Sequence, residues 1–171
     1  MQKTDLTEHF SKLRNGDKSA FTEIYHELKR PVYTIALRIV QSKETAEDIT
    51  QEVFVRLYAS PPDTSVRNPR AWCFQITRNL AIDTLRKKQD TQEPKPEDAC
   101  TPMGEIEQRM DLEKALSLLP CEEREILTLH LNGGLHFKEI SKIVGLTLPS
   151  VYRRYQKALK SLRILMNGGS L

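Results

Sequence analysis

Three runs of charged and aromatic residues could do chemistry in this chain, and in each the chemistry is binding. From Pro149 to the end there are five basic residues, Arg153, Arg154, Lys157, Lys160 and Arg163, and no acid. A local charge of +5 attracts a polyanion at moderate salt. A second run, from Asn68 to Lys88, combines Trp72 and Phe74 with Arg70, Arg78, Arg86, Lys87 and Lys88, and Arg67 precedes it. Rings interleaved with cations suit unpaired bases, which stack on the rings while their phosphates meet positive charge. The third run is acidic: Glu44, Glu47, Asp48 and Glu52, with Gln51 among them. On a helix, acids four apart (44/48 and 48/52) repel and cost roughly a few tenths of a kcal/mol each. The helix dipole offsets this for Glu44 and Glu47 but fades within the first turn and does not account for Glu52. A docking face for a basic protein partner accounts for all four.

Covalent chemistry has no comparable candidate. His9, His26, His130 and His136 have no metal-ligand spacing, no nucleophile stands beside a base, and no glycine-rich phosphate loop is present. Cys73, Cys100 and Cys121 are odd in number and lack a CxxC spacing, which argues for reduced thiols rather than a disulfide framework or a zinc site. The reading is a binding protein with no catalytic residue, no metal and no cofactor.

These residues need helices to position them. Of the 171 residues 39% are hydrophobic and 29% charged, a globular balance that fits one domain or two small ones, and the net charge of +3 matters less than its uneven distribution. No apolar stretch is long enough to span a bilayer, so no membrane insertion is expected. Met1 to Phe10 carries Asp5 and Glu8 where a signal peptide would need a basic end and an apolar run, so a cytoplasmic location is expected. From Phe21, the residues Ile24, Leu28, Val32, Ile35 and Ile39 recur at helical steps, with Asp17 as a cap and Pro31 expected to kink the helix. A helix starting after Ser42 places Ala46, Ile49, Val53 and Leu57 on a buried stripe, runs to about Ala59 and stops before Pro61 and Pro62. Asn68 and Pro69 have the form of a cap and first helical residue, with Trp72, Ile76 and Leu80 four apart beyond them.

Residues 89–104 are rich in Pro, Asp, Glu and Thr and have almost no large apolar residue, which reads as an interdomain linker. Its net charge of −3 (Asp90, Glu93, Glu97 and Asp98 against Lys95) allows either imitation of nucleic acid or a solvated tether. Helical spacing returns at Leu112, Ala115, Leu116 and Leu119, and Pro120 opens a helix that ends at Gly133 and Gly134. Phe137, Ile140 and Ile143 form one short face, Gly145 permits a turn, Thr147 can cap, and Val151, Tyr155, Ala158, Leu159 and Leu162 form a second face. This is a helix-turn-helix pattern, with Ser150, Tyr152, Arg153, Gln156, Lys157 and Lys160 outward. The predicted fold is all-α: a helical domain over 1–88, the linker over 89–104, and a second helical domain over 105–171.

With those elements in place, the chain resembles the extracytoplasmic-function (ECF) group of bacterial RNA polymerase sigma factors from about Asp17 to Arg163, the linker excepted. The segment ETAEDITQEVFVRL (44–57) is similar to sigma region 2.2. The segment NPRAWCFQITRNLAIDTLRKK (68–88) is similar to the region that opens and holds the −10 element. The segment from LPCEEREILTL to YQKALKSLR (119–163) is similar to region 4. Tyr152, where the family commonly has lysine, and Pro149, at the start of the recognition helix, depart from the pattern.

The resemblance implies an alternative sigma factor that binds core RNA polymerase through the β′ coiled coil and β flap and directs promoter-specific initiation, with an anti-sigma factor as a further partner. It assigns Glu47, Asp48, Gln51 and Glu52 to core polymerase. Arg70, Trp72, Arg78, Asn79 and Arg86 fall to the −10 element, and Thr147, Ser150, Arg153, Arg154, Gln156 and Lys157 to the −35 element. It also assigns acceptance of a flipped promoter base to the loop from Pro61 to Pro69. Two readings of Trp72 stand side by side, a base platform and a core residue. A stand-alone helix-turn-helix regulator is the alternative function, and it leaves the acidic and RNLAID helices without a role.

Overall fold

The computed structural model of the chain describes residues 6–91 and 112–167, and among these every regular element is a helix. Four helices make the first bundle: α1 (Leu6–Arg14), α2 (Ser19–Val40), α3 (Lys43–Ala59) and α4 (Pro69–Thr91). Four make the second: α5 (Leu112–Ser117), α6 (Cys121–Leu131), α7 (Phe137–Val144) and α8 (Leu148–Met166). The all-helical, two-domain expectation is met. Helix α4 carries the backbone three residues into the stretch read as linker, and 92–111 lie outside the described residues.

Helix α2 is the axis of the first bundle, packing against α1, α3 and α4. Its start is tied by Asp17, whose carboxylate accepts from the Ser19 amide (3.0 Å) and hydroxyl (2.6 Å). Those two bonds hold the Asp17 carboxyl below its usual range. Pro31 lies inside α2, which continues through it from Ser19 to Val40. Gln41 stops α2 in the left-handed conformation, with its amide donating to the Leu37 carbonyl. One residue on, Ser42 caps α3 by accepting from the Thr45 amide (3.3 Å). The expected stripe of α3, Ala46, Ile49, Val53 and Leu57, is buried along its whole length.

In the second bundle α6 packs against α8 and α7, and its stretch from Glu123 to Leu129 is buried. The two bundles share a core. Ile126 and Leu129 of α6, Ile140 and Ile143 of α7 and Val151 of α8 belong to the same apolar cluster as Ile24, Leu28 and Phe74. A smaller cluster, including Leu116, Leu127, Ala158 and Leu162, is internal to the second bundle. Full burial of a side chain such as Ile126 or Leu129 contributes about 1.5–3 kcal/mol, so the contact of α6 with α2 is a packed interface and not a chance touch.

Candidate polymerase-docking and nucleic-acid surfaces

The acidic surface is a direct consequence of how α3 is buried. With Ala46, Ile49, Val53 and Leu57 inward, Glu44, Glu47, Asp48, Gln51 and Glu52 are all exposed on the opposite side. Arg56 donates to the Glu52 carboxylate at 2.6 Å, so one of the carboxylates is already paired. Beside this face, Tyr25, Lys29 and Tyr33 of α2 and Glu47 and Gln51 of α3 border a cleft of about 390 Å³. Exposed Val55 and Tyr58 give the end of the helix an apolar margin.

Helix α4 starts as its sequence indicates. The Asn68 side chain accepts from the Ala71 amide (3.1 Å) as the cap before Pro69. Its inward face, however, is Cys73, Phe74, Thr77 and Ala81, and the predicted stripe of Trp72, Ile76 and Leu80 is only half-buried against the core. Phe74 is fully buried and is therefore no platform for a base. Trp72 is neither core nor free: it lines a cleft of about 530 Å³ with Ser65, Val66 and Arg67 of the loop before α4 and Lys142 of α7. Asn79 and Arg86 are exposed, with Asn79 accepting from Gln75.

Arg70 and Arg78 of α4 are both paired with carboxylates. Arg70 pairs with Glu27 of α2 and leans toward the Gly133 carbonyl (3.4 Å). Arg78 donates to Glu125 of α6 at 2.5 Å, and both side chains are largely withdrawn from solvent. Burial pushes the Glu125 carboxyl up from its usual range, and Arg78 pulls it the other way without cancelling the effect.

The helix-turn-helix is α7, the turn at Gly145 and α8. Gly145 takes a positive φ of 70°, and the Ser141 hydroxyl donates to the Leu146 carbonyl (2.6 Å) to close the turn. Thr147 stands at the cap position of α8, but its hydroxyl donates to the Ser150 hydroxyl (2.9 Å) and makes no cap bond. On α8, Tyr152, Arg153, Gln156, Lys157 and Lys160 are exposed and Ser150 is half-buried, the outward set expected. Leu159 is more exposed than its place on the apolar face suggested. The Tyr152 ring meets Phe137 edge-on, and Phe137 stacks on His130. Arg154 is half-buried against Glu122, and Lys157 donates to Glu123 at 2.7 Å.

Sequence periodicity missed Glu122, Glu123 and Glu125, the three α6 carboxylates that hold these cations, as well as Glu139, which accepts from Asn68. Nothing in a stretch reading CEERE separates a paired acid from a solvated one. Its partners lie 34 to 47 residues away for Lys157 and Arg78.

Among the described residues no cluster of His, Cys, Asp or Glu is arranged to hold a metal, and no helix is long and apolar enough to cross a membrane. A bundle with one acidic helix face and one cationic helix, joined to a helix-turn-helix, defines a helical promoter-recognition protein of the sigma-70 type. Residues 24–91 match sigma-70 region 2 and residues 109–162 match sigma-70 region 4. SigM of Bacillus subtilis (strain 168), an ECF RNA polymerase sigma factor, is 30% identical over 155 residues, covering 86% of this chain and 95% of that protein. The fold is similar to CnrH, solved with the cytosolic domain of CnrY (TM-score 0.68, 19% identity, 95% of this chain and 97% of that one). It is also similar to the sigma factor RpoE of Bartonella quintana, solved with the anti-sigma factor NepR (TM-score 0.66, 22% identity, 85% of this chain and 95% of that one). The chain belongs to the ECF RNA polymerase sigma factors, proteins that are not enzymes and that direct RNA polymerase to start transcription at specific promoters.

Proposed function

We propose that the three surfaces divide the work of initiation as their chemistry suggests. The acidic face of α3, through Glu47, Asp48, Gln51 and Glu52, docks on the β′ coiled coil of core polymerase, and the second bundle meets the β flap. Helix α4, through Arg70, Trp72, Arg78, Asn79 and Arg86, holds the −10 element as an opened strand. Helix α8 and its cap, through Thr147, Ser150, Arg153, Arg154, Gln156 and Lys157, grips the −35 element in the major groove. Residues 1–88 form one module, 89–104 the connection and 105–171 the other. The chain works in the cytoplasm, and a partner that binds both modules, as an anti-sigma factor does, is its regulator.

The single observation that carries this reading is that Glu44, Glu47, Asp48 and Glu52 are all exposed on one side of α3, opposite its buried stripe. A stand-alone regulator needs no such face. The test is copurification with core polymerase. Asp48→Lys with Glu52→Lys should lose the polymerase while the helical circular-dichroism spectrum is kept; retained binding contradicts the assignment of α3. Arg153→Ala should weaken −35 duplex binding in the assembled holoenzyme by about 1–3 kcal/mol if it reads a guanine.

A further inference from the structure

We propose that Tyr152 is a specificity-determining residue for the −35 element, and that the group it recognises is the C5 methyl of a thymine. The proposal rests on the −35 role given to α8 above. It deepens that role by naming a base contact that the residues assigned there, all with polar side chains, do not supply.

Tyr152 stands in the second turn of α8 with 53% of its surface exposed, and Leu148, one turn before it on the same side of the helix, is 47% exposed. Single exposed apolar residues are common on any protein surface. Two in register at the leading end of the second helix of a helix-turn-helix lie where base edges are met. Their surroundings select the partner: Arg153, Gln156 and Lys160 are exposed on the same helix, and α8 carries no acid, so the charge is complementary to a polyanion.

A phenol ring in that position has a narrow choice of partner. In duplex DNA the faces of the bases are stacked on one another, and the major groove presents only their edges. Those edges offer acceptors, donors and one apolar group, the thymine methyl. The lysine common at this place in the family would take a phosphate or a guanine edge, whereas the ring of Tyr152 offers an apolar surface. The ring is also held in place. It meets Phe137 of α7 edge-on, with centroids 5.8 Å apart and planes at 82°. Phe137 in turn stacks on His130 of α6 at 4.6 Å and lies 5.0 Å from Tyr155 of α8. The Leu135 carbonyl accepts from Nδ1 of His130 at 2.8 Å, which fixes that ring as well. This row of rings runs from half-buried His130 to exposed Tyr152, so Tyr152 meets the groove already positioned and loses little rotamer freedom on binding.

The experiment uses the holoenzyme, the full chain with core RNA polymerase, and a duplex promoter from which the native chain starts RNA synthesis. Each thymine of the −35 element, on either strand, is replaced in turn by deoxyuridine, which pairs with adenine in the same way and lacks only the methyl group. Binding is read by competition gel shift. At one position the native holoenzyme should lose affinity roughly fourfold, the effect of returning one methyl group to water. Tyr152→Lys should bind the thymine and deoxyuridine forms of that position alike, and Tyr152→Phe, which keeps the ring, should retain the difference. If no deoxyuridine change matters, or if Tyr152→Lys keeps the full difference, the proposal is overturned.

Other roles for the ring give other results. If Tyr152 serves only to pack on Phe137, Tyr152→Lys lowers the melting temperature and weakens both forms of the duplex equally, and the native chain shows no methyl effect; that outcome overturns the proposal. Leu159, 37% exposed, continues the line of Leu148 and Tyr152 two turns further on. If that line is a polymerase contact instead, Tyr152→Lys and Leu159→Lys both lose core polymerase in copurification without DNA, which overturns the proposal too. Failure of the underlying −35 reading looks different again: Arg153→Ala with Lys157→Ala then leaves duplex affinity untouched, whereas failure of the methyl contact alone leaves the effect of that pair intact.

Discussion

Cys73 and Cys121 differ in everything that governs the reactivity of a thiol. Cys73 is fully enclosed on the inner face of α4, and burial pushes its thiol up to about 12 despite the opposing influence of Arg70. Cys121 is exposed at the start of α6. Alkylation of the native chain at mildly basic pH should label Cys121 quickly and Cys73 only after denaturation, because the thiolate is the reacting species. Peptide mapping by mass spectrometry reads both, and equal labelling would contradict the packing of α4. Glu125 offers a second test at this scale. Burial raises its carboxyl above the usual range against the opposing pull of Arg78, so the folded chain holds this proton more tightly than the unfolded one. The stability this group contributes is fully present below 4.5 and is lost as the pH rises through the raised value. Glutamine at 125 cannot titrate. In melts taken from roughly pH 4 to pH 7, the native chain should therefore lose ground to Glu125→Gln as the pH rises; the opposite trend would mean that Arg78 outweighs burial.

At the scale of the element, α3 rests on a capping serine and one buried stripe, and both can be tested. Ser42→Ala removes the acceptor for the Thr45 amide and should cost about 1 kcal/mol, lowering the melting temperature by about 2–4 °C in a chain of this size. Helix α3 was almost fully legible in the sequence: a cap, a period, two prolines beyond the end, and a polar face that followed from the buried one. Helix α4 was legible in its limits but not in its orientation. The four-residue spacing of Trp72, Ile76 and Leu80 marked a plausible core face, but Cys73, Phe74, Thr77 and Ala81 are the residues turned inward. The reason is that α4 is packed by α2 and α3 on one side and by α7 on another, so moderately apolar residues on two faces find cover. The turn before α8 was placed correctly by Gly145, whereas the choice of the Thr147 hydroxyl between the helix backbone and Ser150 was not encoded in any spacing. Periodicity reports which side of a helix is wet. It carries no record of a partner such as Glu139 for Asn68, 71 residues away.

At the scale of the molecule, two modules that bind nucleic acid weakly are joined in one chain and gain affinity when a third body fixes their spacing. The mild net charge of +3 agrees with this, since the cations of α4 and α8 are countered by the acids of α3 and α6 and the chain as a whole is no strong polyanion binder. Free chain should shift a promoter fragment poorly, and core polymerase should raise its affinity and specificity together; a gel shift with and without core decides between this and a stand-alone regulator. The identity of the family was legible because its two motif blocks carry side-chain chemistry as well as period. The packing of one bundle on the other was not, because it depends on pairs such as Arg78 with Glu125 that only the fold brings together. The most direct test of the central claim is run-off transcription from a promoter library with purified core polymerase. The native chain should start RNA synthesis from a defined subset of templates, and the chain with Asp48→Lys and Glu52→Lys should start from none. A native chain that starts RNA on no template, or a doubly substituted chain that starts it as well as the native one, would contradict the account.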